Sequence, residues 1–276
     1  MTKNKYYNQL LKNGYCIINH AFKKHYCEEL IKKIEDLYKK KRSKRHDVDE
    51  GSFYGQKIIR DLVLRDPKTF LKLIDDKKII KVLEFIFKDS FILENIMASN
   101  SVNVKKKYKR IVHIDSHLPT SDPKLTTDAV AMICLDEFKK ENGATKIWPK
   151  SHLSGIRIHH DKKKLKNREK KYVYVEAPKG SLVIFLGQLW HQIGKNINNN
   201  RRWAILIHYK RWWIKPSTNF TKCGSNIFNQ LNDKQKELFG FNSIIPKFNL
   251  RKQFRNGKTL RKISSIGKNY SQALKY

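Results

Sequence analysis

No run of residues in this sequence is apolar enough for long enough to cross a membrane as a helix. The opening stretch, Met1 to Leu11, is polar and lacks the apolar segment of a signal peptide, so a cytoplasmic location is the expectation. Cysteine is sparse. Cys16, Cys27, Cys134 and Cys223 form no CxxC pair, which removes the usual zinc spacing. A chain of 276 residues buries enough surface to fold without disulfide staples, so free, buried thiols are expected. There is no GxGxxG, no phosphate-binding loop and no internal repeat, and the nucleotide-binding classes built on those motifs drop out. Acidic residues are also few: 25 Asp and Glu stand against 59 Lys and Arg, a formal charge of +34. That excess has two readings, a polyanionic partner such as nucleic acid or a chain rich in Lys, Asn and Ile because its codons are A/T-rich. The basic residues are spread along the chain and not gathered in one motif, so a nucleic-acid partner is not the favoured reading.

What is present divides the chain in two. The first part, residues 1–89, reads as mostly helical. Tyr6 to Lys12 suits a short helix stopped at Gly14, and Tyr15-Cys16-Ile17-Ile18 suits a strand. Between Lys24 and Lys41, Leu30, Ile31, Ile34, Leu37 and Tyr38 recur at helical spacing. Lys39 to Asp49 is charged and reads as an exposed loop, and two further helices are expected at Pro67–Ile74 and Lys77–Phe87. From residue 90 to about 215 the pattern changes to short β-rich runs: Phe91–Ala98, Arg110–Ile114, Ala129–Leu135, Thr145–Trp148, Tyr172–Glu176, Leu182–Leu186 and Trp203–Tyr209. Turn residues such as Asn142-Gly143 separate them. Regular short strands argue for a sandwich or barrel and against a βαβ sheet, so the class is α+β, mainly β. Asn232-Asp233 suits the cap of a last short helix, and residues 241–276 read as a basic tail, helix-bearing or partly disordered, after a single domain over 1–240.

One segment carries chemistry. In Ile111-Val112-His113-Ile114-Asp115 the expected strand puts His113 and Asp115 on one face and Ile114 on the other. A third donor, His191, follows the apolar run Leu182–Leu186. Two imidazoles and a carboxylate on one face leave open positions on a metal, the arrangement used by non-haem Fe(II) oxygenases. Arg202 lies eleven positions after His191, where a planar guanidinium can take a carboxylate with two charge-assisted hydrogen bonds. The competing readings are a hydrogen-bonded core histidine for His191 and a solvated charge beside Arg201 for Arg202.

These residues resemble the phytanoyl-CoA dioxygenase family of Fe(II)/2-oxoglutarate oxygenases. Leu11-Lys12-Asn13-Gly14-Tyr15 is similar to its entry segment, Leu135-Asp136-Glu137-Phe138 through Asn142-Gly143-Ala144 to Pro149-Lys150-Ser151-His152 to its central stretch, and Gly180 to His191 with Asn196 to its strand-then-histidine segment. The resemblance runs from about Leu10 to Gly240. It implies a double-stranded β-helix (jelly-roll) core flanked by N-terminal helices, Fe(2+) on His113, Asp115 and His191, and the co-substrate 2-oxoglutarate on Arg202. It also places Asn103 near the co-substrate. The implied activity is O2-dependent hydroxylation of a small or carrier-linked metabolite, with release of succinate and CO2. Halogenating relatives have a small residue where Asp115 stands, so its carboxylate points to hydroxylation. Ile193 departs from the family, which commonly has Ser or Thr there, and Ser181 replaces a frequent Asp. The alternative is a basic, non-catalytic nucleic-acid-binding protein on the same scaffold. A base-repair oxygenase would carry a second arginine six residues after the first, where this chain has His208 or Ile207.

Other candidates have plainer readings. His117 reads as a loop residue, His152 as structural, and His159-His160 as pointing opposite ways. Trp148 and Trp190 are expected in the core, and Trp212-Trp213 over one end of the barrel. Lys105 to Arg110 is a basic loop that would suit an acidic substrate or simply face solvent.

Overall fold

The computed structural model describes residues 2–39, 48–49, 56–101, 111–116, 118, 122, 124–156, 158 and 171–243. Asn103, His117, the run 105–110, His159, His160 and the tail after 243 lie outside the described residues. The N-terminal helices are α1 (Thr2–Asn13), α2 (Lys24–Lys39), α3 (Leu62–Arg65), α4 (Pro67–Ile74) and α5 (Lys77–Phe87), and aspartates cap the last two. Asp66 accepts from Thr69 N at 3.2 Å with Pro67 in the first turn, and Asp76 accepts from Lys78 N at 2.9 Å. Each such cap stabilises by about 1 kcal/mol. Asn232 and Gln235 form a reciprocal capping box at the late helix Asp233–Leu238. No helix among the described residues is long and apolar enough to cross a membrane.

The strands are β1 (Tyr15–Ile18), β2 (Val48–Asp49), β3 (Gln56–Ile59), β4 (Phe91–Ser101), β5 (Asp128–Cys134), β6 (Lys146–Ile147), β7 (Val173–Tyr174), β8 (Leu182–Leu186), β9 (His191–Gln192) and β10 (Trp203–Arg211). Seven form one antiparallel sheet in the order β1-β8-β5-β10-β4-β3-β2, and three form a small sheet, β7-β6-β9. This is the double-stranded β-helix arrangement expected, with no closed barrel. Side-chain alternation makes the layers. On β5 and β10, Ala129, Ala131, Ile133, Ile205, Ile207 and Tyr209 join the helices' Leu30, Ile31, Ile34, Phe70 and Leu83 in the main core. The alternate residues Val130, Met132, Cys134 and Ala204 face Phe138, Ile147 and Val175 in a second core between the sheets.

Three expectations need correction. Within the expected strand Arg110–Ile114, whose described residues are 111–114, only His113 among them makes a strand-like contact, an isolated antiparallel bridge to His191. The N-terminal part supplies β2 and β3 to the large sheet's edge, inside and just after a stretch read as loop. Trp212 and Trp213 do not cover a barrel end: they are 45% and 49% exposed, because the chain leaves the sheet at Arg211 and turns outward.

Candidate metal centre

The bridge between His113 and His191 decides the site. Each residue's N–H donates to the other's carbonyl at 3.0 Å, so the two side chains leave the backbone side by side, with ring centroids 4.1 Å apart. Both imidazoles are then turned by the same device. His113 Nδ1 lies 3.1 Å from the carbonyl of Ile111, and His191 Nδ1 lies 2.9 Å from that of Leu189. A carbonyl only accepts, so each Nδ1 carries the proton and each Nε2 presents a lone pair. Asp115 comes up beneath them. Its Oδ1 is 3.8 Å from His113 Nε2 and its Oδ2 is 3.5 Å from His191 Nε2. One donor atom from each of the three residues lies within 4.8 Å of the other two. These spacings are long for hydrogen bonds and leave room for one ion touching all three donors.

Asp115 is held through the backbone. Its N–H and that of Ser116 both donate to Gly187 O, at 2.9 and 3.1 Å, and Gly187 N donates to Asp128 O at 2.8 Å. A Cβ at position 187 would stand 2.5 Å from Asp128 Cβ, so only glycine lets the ligand loop approach the sheet this closely. Ser116 Oγ, Thr127 Oγ1 and the Asp128 carboxylate form a buried chain behind it, and burial raises the Asp128 carboxyl above its ordinary pKa. Ile114 faces away, as its place between two inward residues requires, and packs with Trp148, Trp190 and Ile158. The two tryptophans are therefore core residues behind the site, with Trp190 Nε1 donating to Ile156 O at 3.2 Å.

Arg202 opens on the same cavity, which has a volume of about 410 Å³. It is 3% exposed, its N–H donates to Asn100 Oδ1 at 2.8 Å, and its guanidinium lies 4.4 Å over the Phe138 ring. No partner among the described residues meets its buried Nε. Burial pulls its pKa down to about 10, against the raising influence of Cys134 and Asp136, and it stays protonated at neutral pH. A buried cation with an unmet donor seeks an anion. The surface charge is its neighbour Arg201, paired with Glu28 at 2.8 Å and Asp136 at 3.1 Å. Alternation on β10 then puts His208 on the same face as Arg202. Its Nδ1 is 4.0 Å from Asp115 Oδ2, its Nε2 has no partner among the described residues, and burial lowers its pKa.

Ile193 does line the cavity, so position 193 supplies no hydroxyl. The cavity's threonine is Thr145, whose Oγ1 lies 3.9 Å from Met132 Sδ. Thr145, Gln56 and Arg60 were not singled out from the sequence. His152 is structural as expected: it is buried, with Nε2 3.1 Å from Leu11 O, and it packs against Gly14.

Comparison with known proteins agrees with this geometry. The family described as "Phytanoyl-CoA dioxygenase (PhyH)" matches residues 10–204, well over half of the chain. "Dioxygenase af480" of Aspergillus fumigatus is 30% identical over 161 residues, covering 56% of this chain and 51% of that protein. "Uncharacterized protein Rv1501" of Mycobacterium tuberculosis is 26% identical over 115 residues, 41% of this chain and 40% of that one. The chain thus spans about half or less of these two relatives. Among solved structures, the non-heme alpha-ketoglutarate-dependent epimerase SnoN from nogalamycin biosynthesis superposes with a TM-score of 0.63 at 18% identity, over 75% of this chain and 80% of that one. HygX from Streptomyces hygroscopicus, with nickel and 2-oxoglutarate bound, gives 0.62 at 14% identity, over 78% and 89%.

Proposed function

Because the chain belongs to the phytanoyl-CoA dioxygenase family, we propose that it holds Fe(2+) on His113, Asp115 and His191, seats the distal carboxylate of 2-oxoglutarate on Arg202, and hydroxylates a small or carrier-linked metabolite. The observation that carries this reading is the opening of a buried guanidinium with an unmet donor onto the same cavity as a converging His-Asp-His cluster. When bound, iron and 2-oxoglutarate supply the oxidising chemistry: O2 is consumed, succinate and CO2 leave, and one oxygen atom goes to the substrate. The chain's own residues bind and orient. The carbonyls of Ile111 and Leu189 keep both Nε2 lone pairs aimed inward, and Gly187 O fixes the height of Asp115. Arg202 fixes the register of the co-substrate by its position at the start of β10, and Phe185, Leu206 and Ile193 give the cavity apolar walls that limit water. The carboxylate of Asp115 fills the ligand position that an oxidative halogenase leaves open for halide. That supports hydroxylation.

SnoN has been solved with Fe3+, alpha ketoglutarate and nogalamycin RO, and HygX with hygromycin B, so small-molecule substrates fit this fold. Three free, buried cysteines suit a reducing compartment such as the cytoplasm. The test is anaerobic titration of the metal-free protein with Fe(2+) and then 2-oxoglutarate. Wild type should develop a weak visible charge-transfer band and, with O2, form succinate, whereas His191→Ala should do neither. A wild-type spectrum as blank as the variant's would end this reading.

A further inference from the structure

The cavity is larger than an ion and a dicarboxylate need, and its second half is built by the N-terminal part of the chain. Gln56 and Ile58 on β3 and Arg60 just after it line that half, with Met97 and Ser99 of β4 between them and β10. The register explains the placement. Ile58 pairs with Ser99 and Ile59 with Ala98, so Arg60 falls beside Met97, which in turn pairs with Leu206 of β10. Two strand spacings, about 10 Å, therefore separate the backbone at Arg60 from β10. Along β10, that row lies four residues past Arg202. The backbones of Arg60 and Arg202 thus stand well apart along one cavity.

Arg60 has no ion pair among the described residues. Among the described residues its one side-chain hydrogen bond runs from Nη1 to Met97 Sδ at 3.6 Å, and sulfur is a weak acceptor. Two carboxylates in neighbouring sequence and strand positions are engaged elsewhere: Asp61 accepts from Thr218 Oγ1 at 2.8 Å, and Glu94 is bound to Lys210. The backbone at Arg60 is fixed, because its carbonyl accepts from Arg65 Nε at 2.8 Å and the next residue, Asp61, is held at φ 56°. The side chain is exposed enough to be reached from solvent, and its charge is near enough to bear on His208 beside the ligands.

A charge count follows. Among the described residues lining the cavity, Asp115 is the single carboxylate, against Arg60 and Arg202. The double positive charge of Fe(2+) and the double negative charge of 2-oxoglutarate cancel, and Asp115 offsets one arginine. One positive charge remains. With Arg202 occupied, it sits on Arg60.

The geometry points to Arg60 as the anchor for an anionic group of the primary substrate, a carboxylate, phosphate or sulfate, held across the cavity from the co-substrate. This inference rests on the reading given above for iron and 2-oxoglutarate. The substrate carbon to be oxidised then lies between Arg60 and Asp115.

The test uses the full chain loaded with Zn(2+) and saturating 2-oxoglutarate, which does not turn over. Two near-isosteric probes, 4-fluorophenylacetate and neutral 4-fluorophenylacetamide, are titrated by fluorine NMR. Wild type should bind the acetate about tenfold more tightly than the amide, a modest preference because Arg60 is solvent-accessible. Arg60→Gln should bring the two probes to equal affinity, and Arg60→Lys should keep part of the preference. The affinity for 2-oxoglutarate, measured separately, should stay within about twofold in both variants. No acetate preference in wild type, or one that survives Arg60→Gln, overturns the assignment of Arg60 while iron and 2-oxoglutarate binding stand. Loss of 2-oxoglutarate binding in Arg60→Gln also overturns it, since Arg60 would then belong to the co-substrate. Failure of wild type to bind 2-oxoglutarate at all defeats the underlying reading instead.

Discussion

The two sheets that enclose the cavity are built by different means. The centre of the large sheet has long, largely buried strands, β4, β5 and β10, and β10 pairs over its whole length with β4 and over most of it with β5. The small sheet consists of two-residue strands and is extended by an isolated bridge. Yet the proposed ligands His113 and His191 stand on the small side, and Arg202, His208 and Arg60 on or beside the large one. The large sheet gets its precision from an extended ladder. The small side gets it from a few backbone hydrogen bonds, each aimed at one ligand. Stability and metal affinity are therefore expected to separate when the two sides are perturbed.

The largest effect should come from paired truncations. Ile207→Ala, at a fully buried position on β10, should cost about 2–5 kcal/mol in denaturant unfolding and leave metal affinity within a fewfold. His191→Ala should lower metal affinity by roughly a hundredfold or more, read by titration calorimetry, while changing the unfolding free energy by less than about 1 kcal/mol. If both quantities fell together in both variants, the division between the sheets would be broken. Next is Gly187→Ala, at a carbonyl that ties the Asp115 segment to the large sheet. The added methyl collides with Asp128, and strain of about 1–3 kcal/mol should be accompanied by a tenfold or greater loss of metal affinity. Arg202→Lys keeps the charge and removes the planar fork, so 2-oxoglutarate affinity should drop about tenfold with metal affinity unchanged. The smallest effect concerns the thiols. Burial pushes Cys16 and Cys134 up to about 12 and Cys27 to about 11, so at pH 8 alkylation of these three should be slow until the chain is unfolded. Cys223, also raised to about 11 but only part-buried, should react first.

The large sheet and its helices were the more legible half. β8 was read to the residue, and α4 and α5 were legible because Asp66-Pro67 and Asp76 announce their starts. The ligand residues were legible as types at a spacing, but the structure that unites them was not a strand. A lone bridge between His113 and His191 carries no periodicity; donor types alone suggested joining segments so far apart in the chain, and the resemblance to known proteins strengthened it. β3 was illegible for a different reason. Four residues with two apolar positions, Gln56-Lys57-Ile58-Ile59, at the rim of a sheet and next to charged sequence, look like a loop. Arg60 is one of 59 basic residues, and nothing local marks it until the register sets it beside the cavity. Trp212 and Trp213 misled because large aromatics are usually buried, whereas here they follow the strand's last residue.

The place of β10 between β5 and β4 has a consequence for how the protein is made. The last in chain order of the described strands fills the middle of the large sheet, so β4 and β5 wait with open edges until the chain has reached about residue 211. Folding is dominated by pairings of high sequence separation, slow to form and exposed to wrong partners in the interval. Arg202 and His208 arrive on that closing strand. The cavity therefore comes into being in the same event that seals the sheet, and a nascent chain stopped short of it has neither the proposed co-substrate anchor nor a finished fold.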